Sequence, residues 1–149
     1  MKANYLISGP VTPGIMSALI ESSDRTDTGG ESVFIGRVRA DEKDGKRVAA
    51  IEYTAYENLV QVEAEKIKST ILSEFSDAIK IEIIHSTGIV KAGEISLLVI
   101  AWAGHRHHAV EACRKTVELI KELLPVWKKE IFDDNSTSWK ENDLSQTAS

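Results

Sequence analysis

The segment Gly104-His105-Arg106-His107-His108 gathers three imidazoles and a guanidinium where a buried apolar run gives way to a helical pattern. The first turn of a helix leaves backbone amides without partners, and the helix dipole favours an anion there. Arg106 adds a planar fork able to grip a phosphate through two parallel hydrogen bonds. The same residues also suit a plain solvated helix start, and their types alone do not separate the two readings. Zinc is a poor fit, because His105, His107 and His108 match no usual helical ligand pair and no cysteine supports them.

A second group of cations lies further on. Lys121 falls near the end of the helix that His105 opens, and Lys128 and Lys129 follow Pro125 and Trp127. Lysines at a helix C-terminus often only complement its dipole. A lysine held beside other cations and partly desolvated has a lowered pKa, however, and can exchange protons or act as a nucleophile near neutral pH. Lys121 and Lys128 suit that role. Arg37 and Arg39 sit two apart at a strand end, so both project to one face and could reach an anionic ligand. The chain carries no phosphate-cradling glycine loop, no GxSxG elbow, no HExxH site and no paired metal carboxylates. An enzyme built from these residues would use positioned cations, with no metal or cofactor of its own, and a reactive group supplied from elsewhere.

The elements that must position these groups follow from hydrophobic periodicity. Residues 3–8 read as a short strand, and Pro13 opens a small helix carrying Ile15, Met16, Leu19 and Ile20. After a polar loop from Asp24 to Gly30, Glu31 to Arg39 alternates as a strand, with Val33, Ile35 and Arg37 on one side. The charged turn Asp41 to Lys46 leads into a β-rich stretch from Val48 to Tyr56, which suggests a hairpin. Val60, Ala64, Ile67, Ile71 and Phe75 form one helical stripe. Ile79–Ile84 and Glu94–Trp102 are strand candidates separated by Gly88 and Gly93, the second apolar enough to be central. Val110, Cys113, Val117, Ile120 and Leu124 make another stripe, ended by Pro125, and a short strand covers Trp127 to Phe132. The order β-α-β-β-α-β-β-α-β predicts an α+β fold with a largely antiparallel or mixed sheet.

Bulk composition fits this picture. With 149 residues and 42% hydrophobic content, one core is expected, in a single domain over residues 1–140. The polar stretch 141–149 is expected to be a flexible tail. The longest apolar run, Leu97 to Ala103, is far short of a membrane span, and no export signal opens the chain, so a soluble cytoplasmic protein is expected. Cys113, the single cysteine, reads as a core thiol. A net charge of -5 argues against general nucleic-acid binding but leaves room for a local basic pocket.

Taken together, several of these stretches resemble the large, catalytic subunit family of molybdopterin synthase. The resemblance rests on Phe34-Ile35-Gly36-Arg37-Val38-Arg39, on His105-Arg106 followed by Glu111-Ala112, on Leu119-Ile120-Lys121, and on Pro125-Val126-Trp127-Lys128-Lys129-Glu130. Glu52-Tyr53, Ala55-Tyr56, His85, Gly88, Gly93 and Glu94 extend it from about residue 31 to residue 139. Thr54 and Ser86 depart from the family pattern, where an acidic residue and an arginine are frequent.

This resemblance implies an α/β hammerhead-type fold with an additional antiparallel β subdomain. It also implies a homodimer carrying two small ubiquitin-like sulfur-carrier subunits, hence a heterotetramer. Each carrier's C-terminal Gly-Gly thiocarboxylate would give its sulfur to cyclic pyranopterin monophosphate, making the dithiolene of molybdopterin. By resemblance, Lys121 and Lys128 are the catalytic lysines. Arg39, His105 and Arg106, with Arg37, would hold the substrate, Glu130 would orient the lysines with Lys129 in support, and Lys140 could add a charge. The alternatives are a non-catalytic phosphate-binding or adaptor module, and an unrelated acyltransferase using His105 as base.

Overall fold

The computed structural model describes residues 4–140, so residue 3 of the first expected strand and the expected tail lie outside the described residues. The elements are β1 (Leu6–Ser8), α1 (Pro13–Glu21), β2 (Gly30–Arg37), β3 (Glu42–Lys43), β4 (Lys46–Ala55), α2 (Glu57–Glu74), β5 (Ala78–Lys91), β6 (Ile95–Ala103), α3 (Arg106–Leu123), β7 (Val126–Phe132) and β8 (Thr137–Lys140). The sheet runs in the order β2-β6-β5-β4-β7-β8, with β1 pairing β5 and β3 pairing β4. Among the described residues, only the β1–β5 strand pairing is parallel. This is the α+β fold expected from the sequence, with an antiparallel β4-β7-β8 half beside a helix-covered half.

Local chemistry accounts for the elements. Thr12 caps α1 by accepting from the Ile15 amide, and Pro13 occupies the first turn, where its missing N–H costs nothing. Asp44 and Gly45 both take positive φ, 53° and 76°, the mirror-image turn that matches the twist of a two-residue hairpin between β3 and β4. α2 buries Val60, Ala64, Ile67 and Ile71, the stripe read from the sequence. β6 is buried at every position, as its run of apolar residues requires of a strand covered on both faces.

Three expectations need correction. Gly88 does not divide two strands. β5 runs through it, pairing with β6 up to His85 and with β4 from Gly88 onward, and the φ of +78° at Gly88 marks where the strand changes partner. The chain reverses at Gly93 alone. In α3 the buried face is Ala109, Ala112, Cys113, Thr116 and Ile120, while Val110 is 54% exposed. One residue of shift turns a helix by ~100°, and the small alanines let α3 lie close on the sheet, where β-branched Val110 would not. The third difference is β8, a short strand that the polar composition of 137–140 concealed. Asn135, at φ 67°, makes the turn that returns the chain against β7.

α1 covers one face of the sheet through a cluster around Val11, Leu98, Ile100 and Trp102. α2 and α3 pack on the other, over the main core. Cys113 is buried there, its thiol pushed up by burial and directed at the Val99 carbonyl, so it behaves as a core residue.

Candidate functional site

A cavity of about 380 Å³ opens where β2 and α3 end beside the inner face of β4, β7 and β8. Cross-strand register decides which side chains reach it, because residues directly opposite one another in an antiparallel pair share a face. Lys128 lies opposite Tyr53 on β4 and Lys140 on β8, and Glu130 lies opposite Ile51 and Ser138. Lys128, Glu130, Tyr53, Ile51 and Lys140 all line the cavity. Lys121 enters from the last turn of α3, and Arg37 and Arg39 from the end of β2.

Five cations, Arg37, Arg39, Lys121, Lys128 and Lys140, thus face two carboxylates, Asp41 and Glu130, in a chain whose net charge is -5. The positive field is local, and low-dielectric walls strengthen it. Arg37 donates to the Gly93 carbonyl at 2.7 Å, which anchors the guanidinium beside the β5–β6 turn. Arg39 is 83% exposed and donates to Asp41 Oδ1 at 2.7 Å, a surface pair that an anionic ligand can replace at little cost.

Glu130 is only 2% exposed. A carboxylate buried to that degree must be paired, and Lys43 meets it with Nζ to Oε1 at 2.8 Å. Nothing in the sequence links residues 43 and 130. The tight Asp44-Gly45 turn and the β4–β7 register bring them together. Lys129 points to the opposite face of β7, where its ammonium pairs with Glu52 at 3.1 Å and sits 5.5 Å from the Trp139 ring centre.

Tyr53 and His85, which the sequence marks only as points of family likeness, form the inner wall. Their rings meet edge to face at 5.1 Å. Burial raises the Tyr53 hydroxyl, keeping it neutral. His85 Nδ1 lies 2.8 Å from the Ser86 carbonyl, which can only accept, so Nδ1 carries the proton and Nε2 is left as an acceptor. Burial, reinforced by the Lys128 charge, pushes the His85 pKa down from 6.5 to about 4. The unfolded chain therefore takes up this proton near pH 6.5 and the folded chain only near pH 4, so acid favours unfolding between those values. Stability should fall by roughly 3 kcal/mol as pH drops through that window, on a scale of about 1.4 kcal/mol per unit. Denaturant midpoints of His85→Gln that keep the full wild-type slope between pH 6.5 and 4 would rule out this histidine as its source.

His105 and Arg106 are elsewhere in the chain. His105 is the N-cap of α3 and Lys121 lies in its last turn, so at ~1.5 Å per residue the two ends stand roughly 24 Å apart. His105 Nδ1 is 2.8 Å from Asp77 Oδ2, and His108 Nδ1 meets the other oxygen of the same carboxylate. Among the described residues, no group of three or more His, Cys, Asp or Glu converges as a metal ion would need. Nor is any described helix long and apolar enough to cross a membrane.

Comparison with known proteins shows the family. The family described as MoaE protein matches residues 10–123. The molybdopterin synthase catalytic subunit of Dictyostelium discoideum is 42% identical over 117 residues, covering 77% of this chain and 73% of that protein. The chain belongs to the MoaE family of molybdopterin synthase catalytic subunits.

The catalytic subunit of Pyrococcus abyssi is 39% identical over 128 residues, covering 85% of this chain and 81% of that protein. Some MoaE-family relatives are much longer, and this chain spans 31% of the Drosophila melanogaster protein. The crystal structure of molybdopterin synthase from Staphylococcus aureus superposes with a TM-score of 0.83 at 28% identity, covering 95% of this chain and 98% of that one. The family match ends at residue 123, before Lys128, Glu130 and Lys140, so those positions rest on the cavity geometry.

Proposed function

We propose that this MoaE-family chain transfers sulfur from the thiocarboxylated Gly-Gly end of a small ubiquitin-like carrier to cyclic pyranopterin monophosphate, forming the dithiolene of molybdopterin. The observation that carries this reading is the cavity that gathers Arg37, Arg39, Lys121 and Lys128 from three separate elements. Thiocarboxylate and phosphate are both anions, so bringing them together needs fixed positive charge in a site with little water. The cavity has no nucleophilic cysteine, because Cys113 is buried in the core. A sulfur donor arriving on another protein supplies what is missing. Lys121 and Lys128 serve as proton donors and acceptors as the sulfur bonds to the pterin and its bond to the carrier's acyl carbon gives way to one from water, leaving the carrier a carboxylate. Glu130 keeps the lysine-rich wall from repelling itself.

His105 and Arg106 enter the same reading through a second copy of the chain. At roughly 24 Å from Lys121, by the ~1.5 Å rise of a helix, they cannot touch a substrate in their own cavity. β2 is the terminal strand of the sheet, with Gly30 packed on Arg106 at one end and Arg37 lining the cavity at the other. A partner lying along β2 would bring its His105 and Arg106 to this cavity and receive the same in return, as a two-fold dimer does.

Mixing the purified chain with thiocarboxylated carrier and the phosphorylated pterin tests the reading: dithiolene-bearing product is expected, and a binding module would yield none. Arg39→Ala and Arg106→Ala should each raise the KM for the pterin roughly tenfold, the loss of one charge-assisted hydrogen bond, with carrier binding changed far less. Equal losses for both ligands would reject this division of labour.

A further inference from the structure

We propose that Asp77 is a positioning residue: it holds His105 by Nδ1 so that Nε2 is presented to the substrate in the partner chain's cavity. This rests on the reading of His105 given above. Asp77 lies in the turn between α2 and β5, and its backbone carbonyl accepts from the Gly104 amide at 2.9 Å. Its carboxylate then reaches past Gly104, where an added Cβ would lie 3.2 Å from Oδ2, to the His105 ring beyond. Oδ2 takes His105 Nδ1 at 2.8 Å and Oδ1 takes His108 Nδ1.

The two histidines have different surroundings. The His108 side chain is only partly exposed and its ring sits 5.8 Å from that of Phe75, so it anchors Asp77 against the protein. The His105 side chain is 84% exposed. An exposed imidazole would ordinarily rotate and exchange tautomers. Here the carboxylate can only accept, so Nδ1 must carry a proton and Nε2 faces away from Asp77 into solvent. The hydrogen bonds from His105 and His108 hold the Asp77 carboxyl below the usual carboxylate range, which keeps it an ionised acceptor at neutral pH. Gly29 and Gly30 complete the clamp by letting the start of β2 lie directly on Gly104 and Arg106.

Asp77→Asn retains the backbone bond to Gly104 but can no longer accept from both rings. At limiting pterin its rate should fall about tenfold through KM, with kcat nearly unchanged, since freezing an exposed side chain would then fall to the substrate. Because His105 serves the other chain, co-expression with Lys121→Ala should restore activity. Random pairing leaves about a quarter of wild-type sites intact, whereas an Asp77 acting within its own chain would leave about one-twentieth of the wild-type rate. Restoration to the lower level, or an unchanged KM in a folded variant, overturns the proposal. Nitrogen-15 spectra of the imidazoles test the clamp without any turnover: wild-type His105 should show a protonated Nδ1 and an Nε2 that responds to cyclic pyranopterin monophosphate. Loss of the Nδ1 signature is expected in Asp77→Asn, and its persistence there would refute the assignment. A wild-type protein that forms no dithiolene yet shows these signals would instead count against the sulfur-transfer reading alone.

Discussion

Lys121→Ala should form dithiolene-bearing pterin at less than about one-hundredth of the wild-type rate, the scale set by removing a positioned proton-transfer group. Its fold should be untouched. The side chain is exposed in the last turn of α3, where a lysine contributes at most ~1 kcal/mol through the helix dipole and alanine regains part of that by propensity. A melting temperature within about 3 °C of wild type is therefore expected for a chain of this size. The contrast between a large kinetic loss and a small thermal one is the informative result. A variant that kept half the wild-type rate would remove Lys121 from the reaction, and one that melted far below wild type would make the kinetic loss a folding effect.

Gly29→Ala should show the reverse order of effects. An added Cβ would sit 1.9 Å from the Gly104 carbonyl oxygen, and that neighbour is backbone, which cannot rotate away. The Gly29 amide meanwhile donates to the Ala103 carbonyl at 3.0 Å, so the two segments cannot part without losing a ladder bond. Overpacking of this kind costs about 2–3 kcal/mol, and the melting temperature should drop by roughly 5–10 °C. Because the displaced segment carries His105 and Arg106, the rate should also fall by about tenfold, although Gly29 lines no part of the cavity. An unchanged melting temperature would show that the junction yields freely and that the glycine is incidental.

Lys43 shows where the limits of reading the chain lie. As part of a charged turn it has no visible role, yet it neutralises Glu130, whose burial equally has no signature in its neighbours Lys129 and Ile131. Such a pair depends on register between strands far apart in sequence, and register is set by how whole strands pack. The same holds for Lys128 and Lys129. Adjacent in sequence, they differ in placement because β alternation sends one into the cavity and the other to Glu52 on the far face.

What the chain determines by itself is local or periodic: the stripes of α2, the wholly apolar β6, the cap of α1, the Asp44-Gly45 hairpin, and a set of cations whose order along the sequence matches a family. These follow from side-chain chemistry over a few residues, so a linear string is enough to show them. Tertiary structure decided which cations share one cavity, that Gly88 bends β5 between two partners, that Asp77 holds two histidines, and that the length of one helix separates His105 from Lys121. Those are distances between segments joined only by folding, and the energies that fix them, burial and strand register, belong to the assembled core and to no single stretch of sequence.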